Sequence, residues 1–235
     1  MRKFILPYAI VITIVTIGII ITDKLPARIL ATFDKKQLIK PESAHIILRN
    51  SLFKELHTTD KVIFVGNSIT ENGNWNELLQ SDEIVNRGIA GDFSSGILKR
   101  IDQYINDRPR CIILMDGIND IMLEIPLDTI QGRYARIISK IQQAHIPVIV
   151  QSTLYVDKNT DVHNYTTSIN HNVDALNKFL SEYCKARNIQ FIDVNAVLQS
   201  NGCLASNYTD DGVHINGDAY EKWAKLLKPH LNSYL

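Results

Sequence analysis

The chain reads as an α/β domain built on a parallel sheet, and three features of the sequence predict it. Five short runs are rich in Val and Ile and end near Gly, Asn, Ser or Asp: KVIFVG (61–66), EIVNRGI (83–89), CIILMDG (111–117), PVIVQS (147–152) and IQFIDV (189–194). Near-continuous apolar strands of this length suit a parallel sheet covered on both faces. Helix-like stretches separate them, at 94–107, 128–145 and 167–188, and a last one follows at 217–228. No internal repeat and no second composition block interrupts the alternation, so one domain is expected.

Each helical stretch carries its own signal. In 128–145, Ile130, Tyr134, Ile137, Ile138 and Ile141 recur at helical spacing, with Asp128 placed to cap the start. In 217–228, Tyr220, Trp223, Leu226 and Leu227 fall on one face. Composition removes other classes. The 235 residues are 45% hydrophobic and 21% charged, which excludes disorder. Lys+Arg and Asp+Glu are both 25, so the chain lacks the basic surplus of a general nucleic-acid binder, and no nucleic-acid partner is expected. Three cysteines without a C-x-x-C pair supply neither a disulfide scaffold nor a zinc site. Cys111 belongs to a strand; pairing between Cys184 and Cys203 is left open.

The N-terminus is different in kind. Phe4 to Thr22 has no charged side chain, and Arg2, Lys3, Asp23 and Lys24 bracket it. At 1.5 Å per residue such a helix crosses a hydrocarbon core of ~30 Å. A cleaved secretory signal has a shorter apolar middle, ~7–15 residues, and a small-residue cleavage site, which TDKLPA does not provide. The reading is therefore a transmembrane anchor (1–22), a lysine-bearing tether (23–40) and a folded domain (41–235), joined to the membrane as a single-pass protein. Large domains translocate largely regardless of charge, and the short basic tail is expected inside, so the domain is placed outside the cytoplasm.

In an open parallel sheet, ligands bind beyond the carboxyl ends of the strands, and the residues there decide the chemistry. After the first run comes GNSIT (66–70), where Ser68 is set at a tight turn, as a nucleophile or as a helix N-cap. The segment lacks the Gly-Lys pair of a phosphate-binding loop. NRGIAGD (86–92) follows the second run, and its exposed N–H groups suit an oxyanion as well as an ordinary turn. DGIND (116–120) follows the third, and Asn119 offers a side-chain N–H₂ or a cap. Near the end, TDDGVHING (209–217) places Asp211 three positions before His214, where it can fix the imidazole tautomer. Each block alone fits a turn. Together they supply a nucleophile, a base with its orienter and oxyanion donors, the set required for acyl transfer.

GNSIT, NRGIAGD, GIND and DGVHIN, in this order, resemble the four blocks of the SGNH (GDSL) hydrolases, including their platelet-activating-factor acetylhydrolase-like branch. The linking text SSGILKRI and INGDAYEKWAKLL agrees with the same family, so the resemblance covers roughly residues 60 to 230. It implies a flavodoxin-like three-layer α/β/α fold with a five-stranded parallel sheet in the order 2-1-3-4-5. It also implies Ser68 as nucleophile, His214 as base and Asp211 as its orienter. The oxyanion hole would comprise the N–H groups of Ser68 and Gly88 with the Asn119 side chain. No metal and no organic cofactor is implied.

One departure stands out: most members have aspartate before the nucleophile, and this chain has Asn67. The expected activity is a serine esterase acting on short acyl groups, foremost acetyl, on a small-molecule or glycan ester. The long polar loop 153–166 brings Tyr155, His163 and Tyr165 as possible substrate contacts, with Asn67 beside the nucleophile. A lysophospholipase-type acylhydrolase and a catalytically weak, membrane-tethered binding protein are the alternatives at this point.

Overall fold

The computed structural model describes residues 43–159 and 166–235, and Ala44–Leu235 form one compact unit. The proposed anchor, the tether, His163 and Tyr165 lie outside the described residues. Among the described residues no helix is long and apolar enough to cross a membrane.

The unit begins with helix α1 (Ala44–Glu55) and then alternates: β1 (Val62–Gly66), α2 (Ser68–Glu71), α3 (Trp75–Leu79), β2 (Ile84–Asn86), α4 (Ser94–Asn106), β3 (Cys111–Met115), α5 (Ile118–Met122), α6 (Leu127–Gln143), β4 (Val148–Gln151), α7 (Thr166–Lys185), β5 (Gln190–Ile192) and α8 (Asn195–Leu198). A two-stranded hairpin of β6 (Gln199–Ser200) and β7 (Cys203–Leu204) and a 3-10 turn lead to α9 (Gly217–Leu231). The five main strands are all parallel, in the order β2-β1-β3-β4-β5. Every residue of β1, β3 and β4 is buried, whereas the edge strands β2 and β5 are only partly covered. Burial on both faces is the physical reason these central segments read as unbroken apolar runs. Helices α4, α6 and α7 pack side by side, and α9 packs against α3 and α8.

Beneath the first turn, Trp75 stacks on Phe64 at 4.6 Å between centroids and meets Trp223 edge-on at 4.7 Å. Both indoles are fully buried, and each finds an acceptor: Trp75 Nε1 donates to Thr70 O, and Trp223 Nε1 to Gln151 Oε1. This aromatic group joins α9 to the start of the sheet.

Two sequence expectations need correction, and one question left open is answered. The second strand is only Ile84–Asn86, because the chain leaves the regular ladder at Arg87. It still follows the β1 edge through Arg87 N to Phe64 O and Ile89 N to Gly66 O. Helix α6 begins at Leu127 with Pro126 as its N-cap residue. Asp128 therefore lies in the first turn, where its charge faces the helix dipole. All three cysteines are free thiols, so Cys184 and Cys203 are not paired.

Candidate active site

The loops after β1, β2 and β3 and the loop before α9 meet at the carboxyl end of the sheet. The chain turns sharply at the end of β1 because Gly66 leaves no side chain there; a Cβ would stand 2.3 Å from Met115 O and 2.1 Å from the Thr70 hydroxyl oxygen. Asn67 then caps α2, its Oδ1 accepting from Ile69 N at 3.0 Å. Ser68, the first residue of α2, is 8% exposed, and its Oγ lies 2.9 Å from His214 Nε2. No protein acceptor among the described residues engages its N–H.

His214 is held from the other side by its own turn. Its Nδ1 is 2.6 Å from Asp211 Oδ2, and its backbone N donates to Asp211 Oδ1 at 2.7 Å. Val213 N donates to the same oxygen at 2.9 Å. Gly212 takes a φ of +82°, which lets Asp211 fold back on the histidine. Burial works to raise the Asp211 carboxyl, but the hydrogen bonds from the His214 ring and from the Val213 and His214 amides outweigh it and hold it down to about 2. The carboxylate is therefore ionised across the neutral range, and the imidazole carries its Nδ1 proton toward it. That leaves Nε2 as the acceptor for the serine hydroxyl.

The oxyanion donors are arranged less simply than the resemblance implied. Asn119 Nδ2 donates to Asp92 O at 2.8 Å, which uses one of its two hydrogens and leaves the other. Asp92 itself is buried and ion-paired to Arg100, whose Nη2 also donates to Gly66 O. Gly88 N donates to Asn86 Oδ1 at 2.8 Å. The expected third donor is thus already engaged within its own turn. Gly88 has a packing role as well, since a Cβ there would lie 2.3 Å from Glu71 N.

The same asparagine that occupies Gly88 also closes α2. Asn86 Nδ2 lies within 2.8 to 3.1 Å of Thr70 O, Glu71 O and Gly73 O. Glu71 in turn accepts Ala90 N and is met by His45 and Arg49 of α1. The sequence reading missed Asn86 and Glu71 as organisers of the site. Asn86 opens the NRGIAGD block, and that position was the available signal.

Of the proposed substrate contacts, Asn67 is corrected. Asn67 is fully buried, and its Nδ2 donates to Asp116 Oδ1 at 3.0 Å, so it faces the sheet rather than a ligand. Tyr155 directs its hydroxyl to Asp174 of α7, where the carboxylate engages it.

Comparison with known proteins follows the same lines. A model of the GDSL-like lipase/acylhydrolase family matches residues 64–222. The structure is similar to a GDSL-like lipase from Bacteroides thetaiotaomicron, with 24% identity and a TM-score of 0.71, covering 82% of this chain and 99% of that one. It is also similar to an acetylxylan esterase from Geobacillus stearothermophilus, with 18% identity and a TM-score of 0.62, covering 75% and 96%. A lipase/acylhydrolase from Enterococcus faecalis shares 22% identity at a TM-score of 0.62, covering 74% and 96%. Among curated proteins, 103 residues are 23% identical to an N-acylneuraminate cytidylyltransferase from Streptococcus agalactiae; the chain spans 24% of that relative's length. With the family match covering all four blocks, from the β1 turn to α9, the chain belongs to the GDSL-like lipase/acylhydrolase family of ester hydrolases.

Proposed function

We propose that the protein is a serine esterase that removes short acyl groups, foremost acetyl, from carbohydrate. The observation that carries the catalytic part is the relay Ser68 Oγ to His214 Nε2 at 2.9 Å and His214 Nδ1 to Asp211 at 2.6 Å. In this reading His214 takes the hydroxyl proton as Ser68 Oγ attacks the ester carbonyl. The developing oxyanion is received by the Ser68 N–H and the remaining Asn119 N–H. The imidazolium returns the proton to the departing alcohol, and water then cleaves the acyl-serine by the reverse path. Gly88 N–H joins the oxyanion donors only if its bond to Asn86 opens.

Two observations support a sugar ester over a long acyl chain. The His214 and Asp211 side chains are 43% and 56% exposed, so an extended polar substrate can lie across the pair. Two of the similar proteins carry sugar-related names, an acetyl-xylooligosaccharide esterase and the acylneuraminate cytidylyltransferase. The same reading keeps Phe4 to Thr22 as an uncleaved anchor that presents the domain outside the cytoplasm, supported by the charge-free run itself.

The test uses the full-length chain against p-nitrophenyl esters of increasing acyl length, acetylated xylo-oligosaccharides and a lysophospholipid. Acetyl esters are expected to turn over fastest, and Ser68→Ala to lose turnover and fluorophosphonate labelling together. Preference for the lysophospholipid would overturn the short-acyl assignment, and native turnover by Ser68→Ala would remove Ser68 from the reaction.

A further inference from the structure

Asn67 replaces the aspartate that most members of the family carry, yet an acid still stands at this point of the fold. It comes from the end of β3. Asp116 is 1% exposed, and its Oδ1 receives Asn67 Nδ2 at 3.0 Å. The two residues are 49 positions apart, so the contact belongs to the sheet and not to the turn.

Asp116 is itself fixed from several sides. Its N–H donates to the Tyr134 hydroxyl of α6 at 2.8 Å, and its carbonyl accepts from Thr153 Oγ1, just beyond β4, at 2.5 Å. Gly117, next in sequence, takes a φ of +106°. The carboxyl therefore has little freedom to follow a moving partner. Its second oxygen, Oδ2, is buried and has no hydrogen-bond partner among the described residues. An acid in that position is costly unless it serves a purpose. Asn67 transmits the constraint. It is fully buried, and its two side-chain polar groups face opposite ways: Nδ2 to Asp116, Oδ1 to Ile69 N in the first turn of α2. Between these two anchors stands Ser68.

We propose that Asp116 is a positioning residue for Ser68: the Asn67–Asp116 bond, made just beyond the end of β3, holds the turn that presents the serine to His214. The inference rests on the esterase reading of Ser68. It requires a hydrogen-bond donor at one of the two positions facing an acceptor at the other, which two carboxylates do not supply. Two acids would face each other at 3.0 Å in a buried site and share a proton or separate. Burial, with Asp120 nearby, already pushes Asp116 well above the usual carboxylate range. Its surroundings are Asp120 of α5, Arg100 of α4, Tyr134 of α6 and Asn67. Arg100 is already ion-paired with Asp92, so a carboxylate at position 67 would join the buried acids Asp116 and Asp120.

The experiment compares Asn67→Asp, Asp116→Asn, Asp116→Ala and the exchange Asn67→Asp/Asp116→Asn in the full-length chain. Each is measured for p-nitrophenyl acetate kinetics, fluorophosphonate labelling per folded molecule and thermal midpoint. Asn67→Asp, although it restores the common family residue, is expected to lower kcat by ~10-fold or more with KM little changed. The loss should deepen as pH rises, because the shared proton leaves. The exchange variant is expected to recover most of that loss, a non-additivity that marks direct coupling. Asp116→Asn keeps an acceptor for Asn67 and should stay near native, whereas Asp116→Ala leaves Nδ2 unpaired and should label slowly even when folded. Native turnover by Asn67→Asp, an exchange no better than that single variant, or equal labelling of Asp116→Ala and Asp116→Asn would each overturn the proposal. Ser68→Ala is the separate control: if it retains native turnover, the esterase reading fails; if it is dead and the preceding results are negative, only the positioning role fails.

Discussion

Ser68 stands on a turn whose preceding residue is fully buried and bonded to a strand 49 positions away, while His214 stands on a turn held by a carboxylate three positions away. The serine side is closed in by β1, β3, Asn86 and Gly88; the histidine side is nearly half exposed. The two partners of one hydrogen bond are therefore set by different physics. Long-range packing fixes the first, and local hydrogen bonding in a glycine turn fixes the second. Substitutions near the serine should change stability and activity together, and those near the histidine should change activity alone.

The largest effect expected is on the exposed side. His214→Ala should lower kcat/KM for p-nitrophenyl acetate by about 10⁴ or more, while the thermal midpoint stays close to native because the ring is exposed and packs little. A large drop in the midpoint would show the base loop to be part of the fold's support. Asn119→Ala should cost on the order of 10²–10³ in kcat, the usual loss for one oxyanion donor. A loss of only a few-fold would mean that its second hydrogen does not reach the oxyanion.

The buried side should respond in both quantities. Trp75→Ala removes the ring between Phe64 and Trp223 and should destabilise by about 3–5 kcal/mol in denaturant unfolding. Gly88→Ala places a methyl against the α2 backbone and should cost about 1–3 kcal/mol, with kcat falling alongside. Intact stability in either variant would break the contrast between the two sides.

The smallest effect is a matter of pH. The Asp211 carboxyl is held below its unfolded value, so its contribution to stability is present above ~pH 4 and disappears as pH falls toward about 2. Because the side chain is more than half exposed, the contribution is small. Thermal midpoints of the native chain and Asp211→Asn should differ slightly at neutral pH and converge as pH falls toward about 2. The charge also persists through mild acid, so loss of turnover there does not report protonation of Asp211.

What the sequence disclosed follows the same division. The sheet was readable because β1, β3 and β4 are buried on both faces, and an unbroken apolar run is the direct consequence of that burial. Asp211 and His214 were readable as a pair because their bond spans three residues. Asn67 was misread as a ligand contact, since only the pairing of β1 with β3 brings Asp116 beneath it. Gly88 was read as an oxyanion donor, although Asn86 two positions before it is a local turn signal that its N–H is engaged within the block. Helix α6 began two residues earlier than the aspartate signal suggested, because Pro126 already sets the first turn. Local bonds leave their mark in spacing, whereas bonds made across the sheet do not.

Helix α9 ties these distances together. Tyr220 donates its hydroxyl to Ile69 O at 2.6 Å, 151 positions back, and Trp223 completes the aromatic group under the β1 turn. A nascent chain that ends before residue 214 has neither the imidazole nor the aromatic lock at the nucleophile. On the proposed mechanism hydrolytic competence is thus acquired late in synthesis, because a chain ended before residue 214 lacks the proposed base, however much of the sheet has already formed.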